Sequence, residues 1–128
     1  MEPAQALAEL RELSSQITAA VVLDAEGSVL ASSPEGHGSG STLATAALEL
    51  VAAAGDLGAG AEDVTRVEVE LDEGAVFVVR EGERTVAATT GPDPTSGLVV
   101  YDLRTCAQSL RGDEPKKRRA RKPKEASE

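Results

Sequence analysis

The sequence predicts an α/β sandwich of the α+β type, with a five-stranded antiparallel sheet, helices on both faces and the order α-β-β-α-β-β-β-α. Three observations lead to this prediction. Apolar residues recur at helical spacing near the N-terminus, in the middle of the chain and before residue 110. Strand-like runs are joined by short acidic and glycine-containing turns, which are typical of hairpins. The 128 residues allow one core, which must be aliphatic because aromatic residues make up only 2%.

The first half of the chain supplies two helices and a hairpin. Residues 3–14 predict a short amphipathic helix with Pro3 in its first turn. An apolar run at 17–23, a turn at Asp24–Gly27 and a second run from Ser28 predict the hairpin. After the loop "SPEGHGSGS", Ser41 is a suitable N-cap for a helix over residues 42–54, "TLATAALELVAAA".

The second half supplies three strands and a helix. The segment "RVEVEL", residues 66–71, alternates strictly and predicts a half-exposed strand at a sheet edge. The next run, "AVFVVR", is apolar at consecutive positions and belongs in the middle of a sheet that is covered on both sides. "RTVAATT" follows a turn at Glu81–Glu83, and a last helix is expected from about Ser96 to Leu110 after Thr95 as its cap.

The middle helix is apolar on more sides than one sheet face can cover. Its second side is expected to contain Leu43, Ala47, Leu50 and Ala54 or their neighbours. A helix that is apolar nearly all round should be buried all round. In so small a domain, this points to a covering layer from another chain.

Charge divides the sequence into two parts. Residues 1–112 contain six arginines, no lysine and 18 acidic residues, a net charge of −12. Residues 113–128 contain seven basic and four acidic residues, a net charge of +3, which gives −9 for the whole chain. The second part has no apolar side chain larger than alanine, so it cannot bury enough surface to offset the entropy of ordering. We therefore predict one domain over 1–112 and a disordered basic tail over 113–128.

The segments "SSQITAAVVLDAEGSVLAS" and "GPDPTSGLVVYDLRTCAQSL", together with the apolar helix and the three-stranded meander between them, resemble the roadblock/LC7 family. The resemblance covers about residues 5–111 and is strongest to small bacterial members that regulate Ras-like GTPases in gliding motility or occur in actinobacterial GTPase operons. It implies the profilin-like fold of that family and a homodimer in which the middle helices pack together and the third strands pair. The implied interface contains Leu43, Ala47, Leu50, Ala54, Arg66, Glu68 and Glu70. If the third strand pairs with itself about Glu68, Arg66 faces Glu70 of the second copy, but the two Glu68 residues are opposed.

The sequence patterns that could indicate catalysis or ligand binding are incomplete. "GHGSGST" precedes a helix, but it has Ser41 where a phosphate loop needs lysine and a dinucleotide loop needs a third glycine. His37 lies between two glycines and lacks rigid placement, and the single cysteine, Cys106, falls on the apolar side of a helix. The sequence therefore predicts no catalytic, cofactor-binding or metal site and no enzymatic activity.

Arginines are formal candidates for GTPase activation in trans, since an inserted arginine can stabilise the transition state of phosphoryl transfer. The resemblance implies activity through reshaping of the GTPase, and pairing with nearby acids is the simpler role for each side chain. The five candidates are Arg11, Arg66, Arg80, Arg84 and Arg104.

The resemblance implies a homodimeric regulatory or scaffold module for a small Ras-like GTPase. The sequence predicts a cytoplasmic protein because it has no signal or membrane-spanning segment. The alternative is an adaptor that docks to nucleic acid or an anionic membrane through its basic tail, at about 1 kcal/mol per basic residue near a membrane. Self-association of the tail with the acidic domain and simple solubilisation are the other uses. The tail contacts would be Lys116, Lys117, Arg118, Arg119, Arg121, Lys122 and Lys124.

Overall fold

The computed structural model describes residues 2–33, 39–57 and 65–111. It has the predicted order: α1 (Pro3–Leu13), β1 (Ile17–Leu23), β2 (Val29–Ser33), α2 (Ser39–Asp56), β3 (Arg66–Leu71), β4 (Gly74–Glu81), β5 (Arg84–Thr90) and α3 (Ser96–Arg111). The boundary that differs most from the prediction is the start of α2. Because α2 begins at Ser39, Ser41 lies inside the helix and is not its N-cap.

The five strands form one antiparallel sheet in the order β2-β1-β5-β4-β3. The hairpin β1–β2 and the meander β3–β4–β5 join through the β1–β5 pair. The two outer strands are therefore β2 and β3, which confirms β3 as a sheet edge.

Helices cover the two faces of the sheet unequally. On one face, α1 and α3 enclose a cluster that includes Phe77, the largest fully buried side chain, together with Leu7 and Leu103. On the other face, α2 is the one described helix, and it covers a smaller cluster around Val21 and Val78. Strand β4 contributes to both clusters through alternate residues, which confirms that it lies in the middle of a covered sheet.

Local hydrogen bonds shape the β1–β2 turn. The Asp24 carboxylate accepts from the amides of Glu26 and Ser28, both at 2.9 Å, and Gly27 has a φ of +88°, which a residue with a side chain rarely adopts. The Asp24 amide donates to the Ser28 carbonyl at 3.0 Å and closes the hairpin.

The helix termini follow simple patterns. Pro3 begins α1, as expected from its position. The Thr95 carbonyl accepts from the amides of Leu98 and Val99, so α3 begins where it was predicted. The Thr95 amide in turn donates to the Gln16 side chain at 2.6 Å, which fastens the start of α3 to the start of β1.

Candidate functional site

The inner side of α2 holds the helix to its own sheet. Leu43, Ala44, Ala47 and Val51 are buried there against residues of β1, β4 and β5. Leu43 and Ala47 were placed on the second, outward side of this helix from the sequence, and the structure places them on the inner side instead. The outward-facing side of α2 is therefore built from other residues.

The outermost side of α2 is polar. Thr42, Thr45, Glu49 and Asp56 are exposed and recur at helical spacing on the side opposite the sheet. Ala53 is also exposed on this side, and the larger surplus apolar residues, Leu48 and Leu50, lie on the two flanks of the helix.

The two flanks of α2 have different surroundings. On one flank, Leu48 lies against the β1–β2 turn, since a Cβ added at Gly27 would be 3.0 Å from Leu48 Cδ1. Leu50 is two residues further along the helix, about 200° around its axis, and so lies on the other flank. There it packs, half-buried, against the same cluster as Val67 of β3 and Val76 of β4.

This second flank and the neighbouring strands form a surface that we call the apolar groove. Helix α2 contacts β1 and β2 more extensively than β3, so the described residues cover the α2 side of the β3 edge only partly. Every side chain of the groove is small or aliphatic and half-buried. Its residues are Ala46, Leu50 and Ala54 of α2, and Val67, Val69 and Val76 of the strands.

The β3 edge borders the groove and carries charge on its opposite face. Arg66, Glu68 and Glu70 are exposed and pair with Val79, Phe77 and Ala75, whose side chains lie in the α1/α3 cluster. Among the described residues, the structure shows no ion pair or hydrogen bond for these three side chains. The edge thus presents an apolar row towards α2 and a charged row towards α3.

Among the described residues, no strand pairs with the outer edge of β3. The Arg80 amide donates to the Thr65 carbonyl at 2.9 Å, so the polar backbone groups of Thr65 point towards β4. Because these directions alternate along an antiparallel strand, the N–H and C=O groups of Arg66, Glu68 and Glu70 point away from β4. An open edge of this kind can accept another strand.

A cleft of about 480 Å³ lies at the opposite flank of α2, between the β1–β2 and β4–β5 turns. Leu48, Val51 and Ala52 form its apolar wall, and Arg80 and Glu83 lie at its rim, both with interaction partners. The charged residues that line this cleft do not form a catalytic pattern. Within the part of the chain that is described, no group of His, Cys, Asp and Glu is arranged to hold a metal ion.

Cys106 is a buried packing residue, as predicted. Its Sγ lies 3.8 Å from the Ala6 carbonyl oxygen, between α3 and α1. Burial, with a smaller effect from the Glu9 carboxylate, raises the pKa of the Cys106 thiol to about 11. The group is thus neutral and poorly reactive at physiological pH.

Three of the candidate arginines, Arg11, Arg80 and Arg104, have interaction partners. Arg104 Nε lies 3.6 Å from a carboxylate oxygen of Glu81, and Arg11 donates to the Ser33 hydroxyl at 2.9 Å. These contacts agree with a structural role for both. Other predicted candidates, His37 and the tail residues 113–128, lie outside the described residues. None of the described helices has the length and hydrophobicity needed to cross a membrane.

The model of the Roadblock/LC7 domain family matches residues 3–90, more than half of the chain. The chain belongs to the Roadblock/LC7 family. The match includes α1, α2 and all five strands, and ends before α3. A search of curated proteins gave no match.

Solved structures share the fold over most of the chain. A Roadblock/LC7 domain from Streptomyces avermitilis is 23% identical, with a TM-score of 0.75, over 88% of this chain and 98% of that one. MglB from Myxococcus xanthus is 14% identical, with a TM-score of 0.64, over 87% and 89%. MglB from Thermus thermophilus, a gliding protein, is 16% identical, with a TM-score of 0.61, over 83% of each chain. At these identities the structures confirm the Roadblock/LC7 fold.

Proposed function

We propose that this Roadblock/LC7 protein is a non-enzymatic regulatory or scaffold module that forms a homodimer and, as a dimer, binds a small Ras-like GTPase. The observation that carries the proposal is the apolar groove next to the open β3 edge. A second copy would place its own α2 beside the groove and its own β3 along the edge.

Packing supports this self-association. A half-buried valine or leucine gains stability when its remaining apolar surface leaves water, at about 25 cal/mol per Å². Leu50, Val67 and Val69 each have such surface in the groove. The strand edge adds unpaired backbone groups, and the two contributions lie side by side on one surface of the molecule.

The GTPase assignment is supported by family and by the absence of a catalytic pattern in the described part of the chain. Similar folds include proteins named MglB, one of them described as a gliding protein and another in a tetrameric arrangement. The resemblance to bacterial GTPase regulators agrees with this. A module of this fold can also serve as an assembly component alone, so the GTPase needs a direct test.

The test uses the full chain and a panel of purified bacterial Ras-like GTPases, each loaded with GDP or with a non-hydrolysable GTP analogue. Binding is measured by calorimetry, and GTP hydrolysis is followed with and without the protein. We expect nucleotide-dependent binding by at least one GTPase, and none by a monomeric variant such as Leu50→Lys. Binding that is equal for dimer and monomer would contradict the proposed composite surface.

A further inference from the structure

We infer that Glu68 is a specificity determinant of the β3 edge: it weakens pairing with a second copy and favours a partner strand that carries a basic residue at the matching position. This inference rests on the proposed function, because it concerns how the β3 edge chooses its partner strand. It follows from the directions of the backbone groups and from the order of charges along β3.

The open backbone groups restrict how two β3 strands can pair. Only Arg66, Glu68 and Glu70 present N–H and C=O groups to the free edge, so these residues must form the hydrogen-bonded pairs with the second strand. A two-fold antiparallel pair can then be centred on Val67, on Glu68 or on Val69. Side chains of directly opposed residues lie on the same face, with Cβ atoms about 5 Å apart.

The charged face distinguishes these three registers. In a pair centred on Val69, Glu68 of each copy lies opposite Glu70 of the other copy. These two like-charge pairs are unfavourable. In a pair centred on Val67, Arg66 of each copy lies opposite Glu68 of the other copy, which is favourable. The two strands then overlap only over residues 66–68. Centring on Glu68 overlaps residues 66–70 and opposes Arg66 and Glu70 twice, with a single like-charge pair.

The apolar face excludes the register centred on Val67. Val67 and Val69 lie on the α2 side of the strand, in the apolar groove. With Glu68 at the centre, Val67 opposes Val69 of the second copy at both ends, which gives a continuous valine patch along the groove. With Val67 at the centre, Val69 instead opposes Thr65. With Val69 at the centre, Val67 opposes Leu71, so the apolar face accepts that register too, and its two Glu68–Glu70 pairs decide against it. The register centred on Glu68 is therefore the one that both faces accept.

In this register the two Glu68 carboxylates are opposed at the two-fold axis. Each is exposed and without a partner among the described residues. A directly opposed like-charge pair destabilises strand pairing, whereas an opposite-charge pair stabilises it. A strand with lysine or arginine at this position would replace the repulsion by attraction, and Glu68 thus acts against the homodimer.

The test mixes the wild-type full chain with the full-length Glu68→Lys variant, one of them isotope-labelled, and counts dimers by native mass spectrometry. Both homodimers have a like-charge pair at the axis, and only the mixed dimer has an opposite-charge pair. We expect mixed dimers to exceed the statistical share at low salt, with roughly two- to fivefold tighter association than either homodimer. A statistical share of mixed dimers would overturn the inference.

A charge exchange tests the register separately. Arg66→Glu and Glu70→Arg should each weaken the homodimer, and the double variant should restore it, because Arg66 opposes Glu70 only in the register centred on Glu68. If the wild type dimerises but the double variant does not regain the affinity of the wild-type homodimer, the inference is overturned. The proposed function would still stand. If no mixture forms any dimer, the proposed function itself fails and takes the inference with it.

Discussion

Leu50 of α2 and Val67 of β3 pack against the same buried cluster, and both remain half-exposed at the margin of the α2 face. The two residues mark the place where the helix stops covering the sheet. The chain thus has an apolar groove at one flank of α2 and a polar surface on the outermost side of the same helix.

Replacing Leu50 by lysine tests the groove. A charged side chain there should reduce self-association at least tenfold, since burial of a leucine in an interface contributes about 2 kcal/mol. Sedimentation velocity over a concentration series measures the effect. The matched control is Leu48→Lys, which changes a leucine that is 44% exposed on the opposite flank of the helix. Equal loss of association in both variants would show that the groove is not the contact.

Gly74 provides a test of the sheet itself. A Cβ at this position would meet the Thr90 carbonyl oxygen at a distance shorter than van der Waals contact, and that atom belongs to the backbone. Gly74→Ala should therefore lower the free energy of unfolding by about 1–3 kcal/mol. Gly97→Ala is the control, because its added Cβ meets no described atom within 4 Å beyond its chain neighbours and its own helix backbone. Chemical denaturation compares the two, and an unchanged stability of Gly74→Ala would contradict the close β4–β5 approach.

Cys106 predicts a specific pH dependence. Burial raises the pKa of its thiol from 9.0 to about 11, so the folded state binds the proton more tightly than the unfolded state. The resulting stabilisation is complete below pH 9 and is lost as the pH rises towards 11. The wild-type free energy of unfolding should fall over this window relative to Cys106→Ala, which lacks the thiol and corrects for other groups. Parallel curves for the two proteins would be inconsistent with a buried thiol.

The basic tail yields a prediction about electrostatic binding. Lys116, Lys117, Arg118, Arg119, Arg121, Lys122 and Lys124 give the full chain a cationic segment. If it docks to anionic surfaces, binding to phosphatidylserine vesicles or duplex DNA should fall steeply between 50 and 200 mM salt, at about the slope expected for phosphate contacts. A variant with all seven residues changed to glutamine should not bind. Salt-independent retention of that variant would refute the tail as the contact.

Much of the fold could be predicted from the sequence because local signals and burial agree there. The strict alternation of apolar and charged residues over 66–71 predicts a strand at the sheet edge. The apolar run through Phe77 predicts a strand covered on both faces. The start of α2 was misplaced because the preceding segment, rich in serine and glycine, carries no clear capping signal.

The candidate site was predicted less well. The sequence analysis expects Leu43 and Ala47 on the outward side, but both are buried. In an alanine-rich helix, the pattern of apolar residues does not define which side faces the sheet. Leu50 and Ala54 do lie on the apolar groove, and Ala46, Val67, Val69 and Val76 were missed as its other members. Val67 and Val69 can be recognised from their alternation with charged residues. Their position beside α2 follows only from the order of the strands in the sheet. The interface itself stays a prediction.

The solution mass of the full chain tests the central claim most directly. Multi-angle light scattering should be run from high to low micromolar concentration, with Leu50→Lys measured in parallel. We expect a dimer that persists at low micromolar concentration for the wild type and a monomer for the variant. A folded wild-type chain that stays monomeric throughout the series would contradict self-association through the groove and the β3 edge.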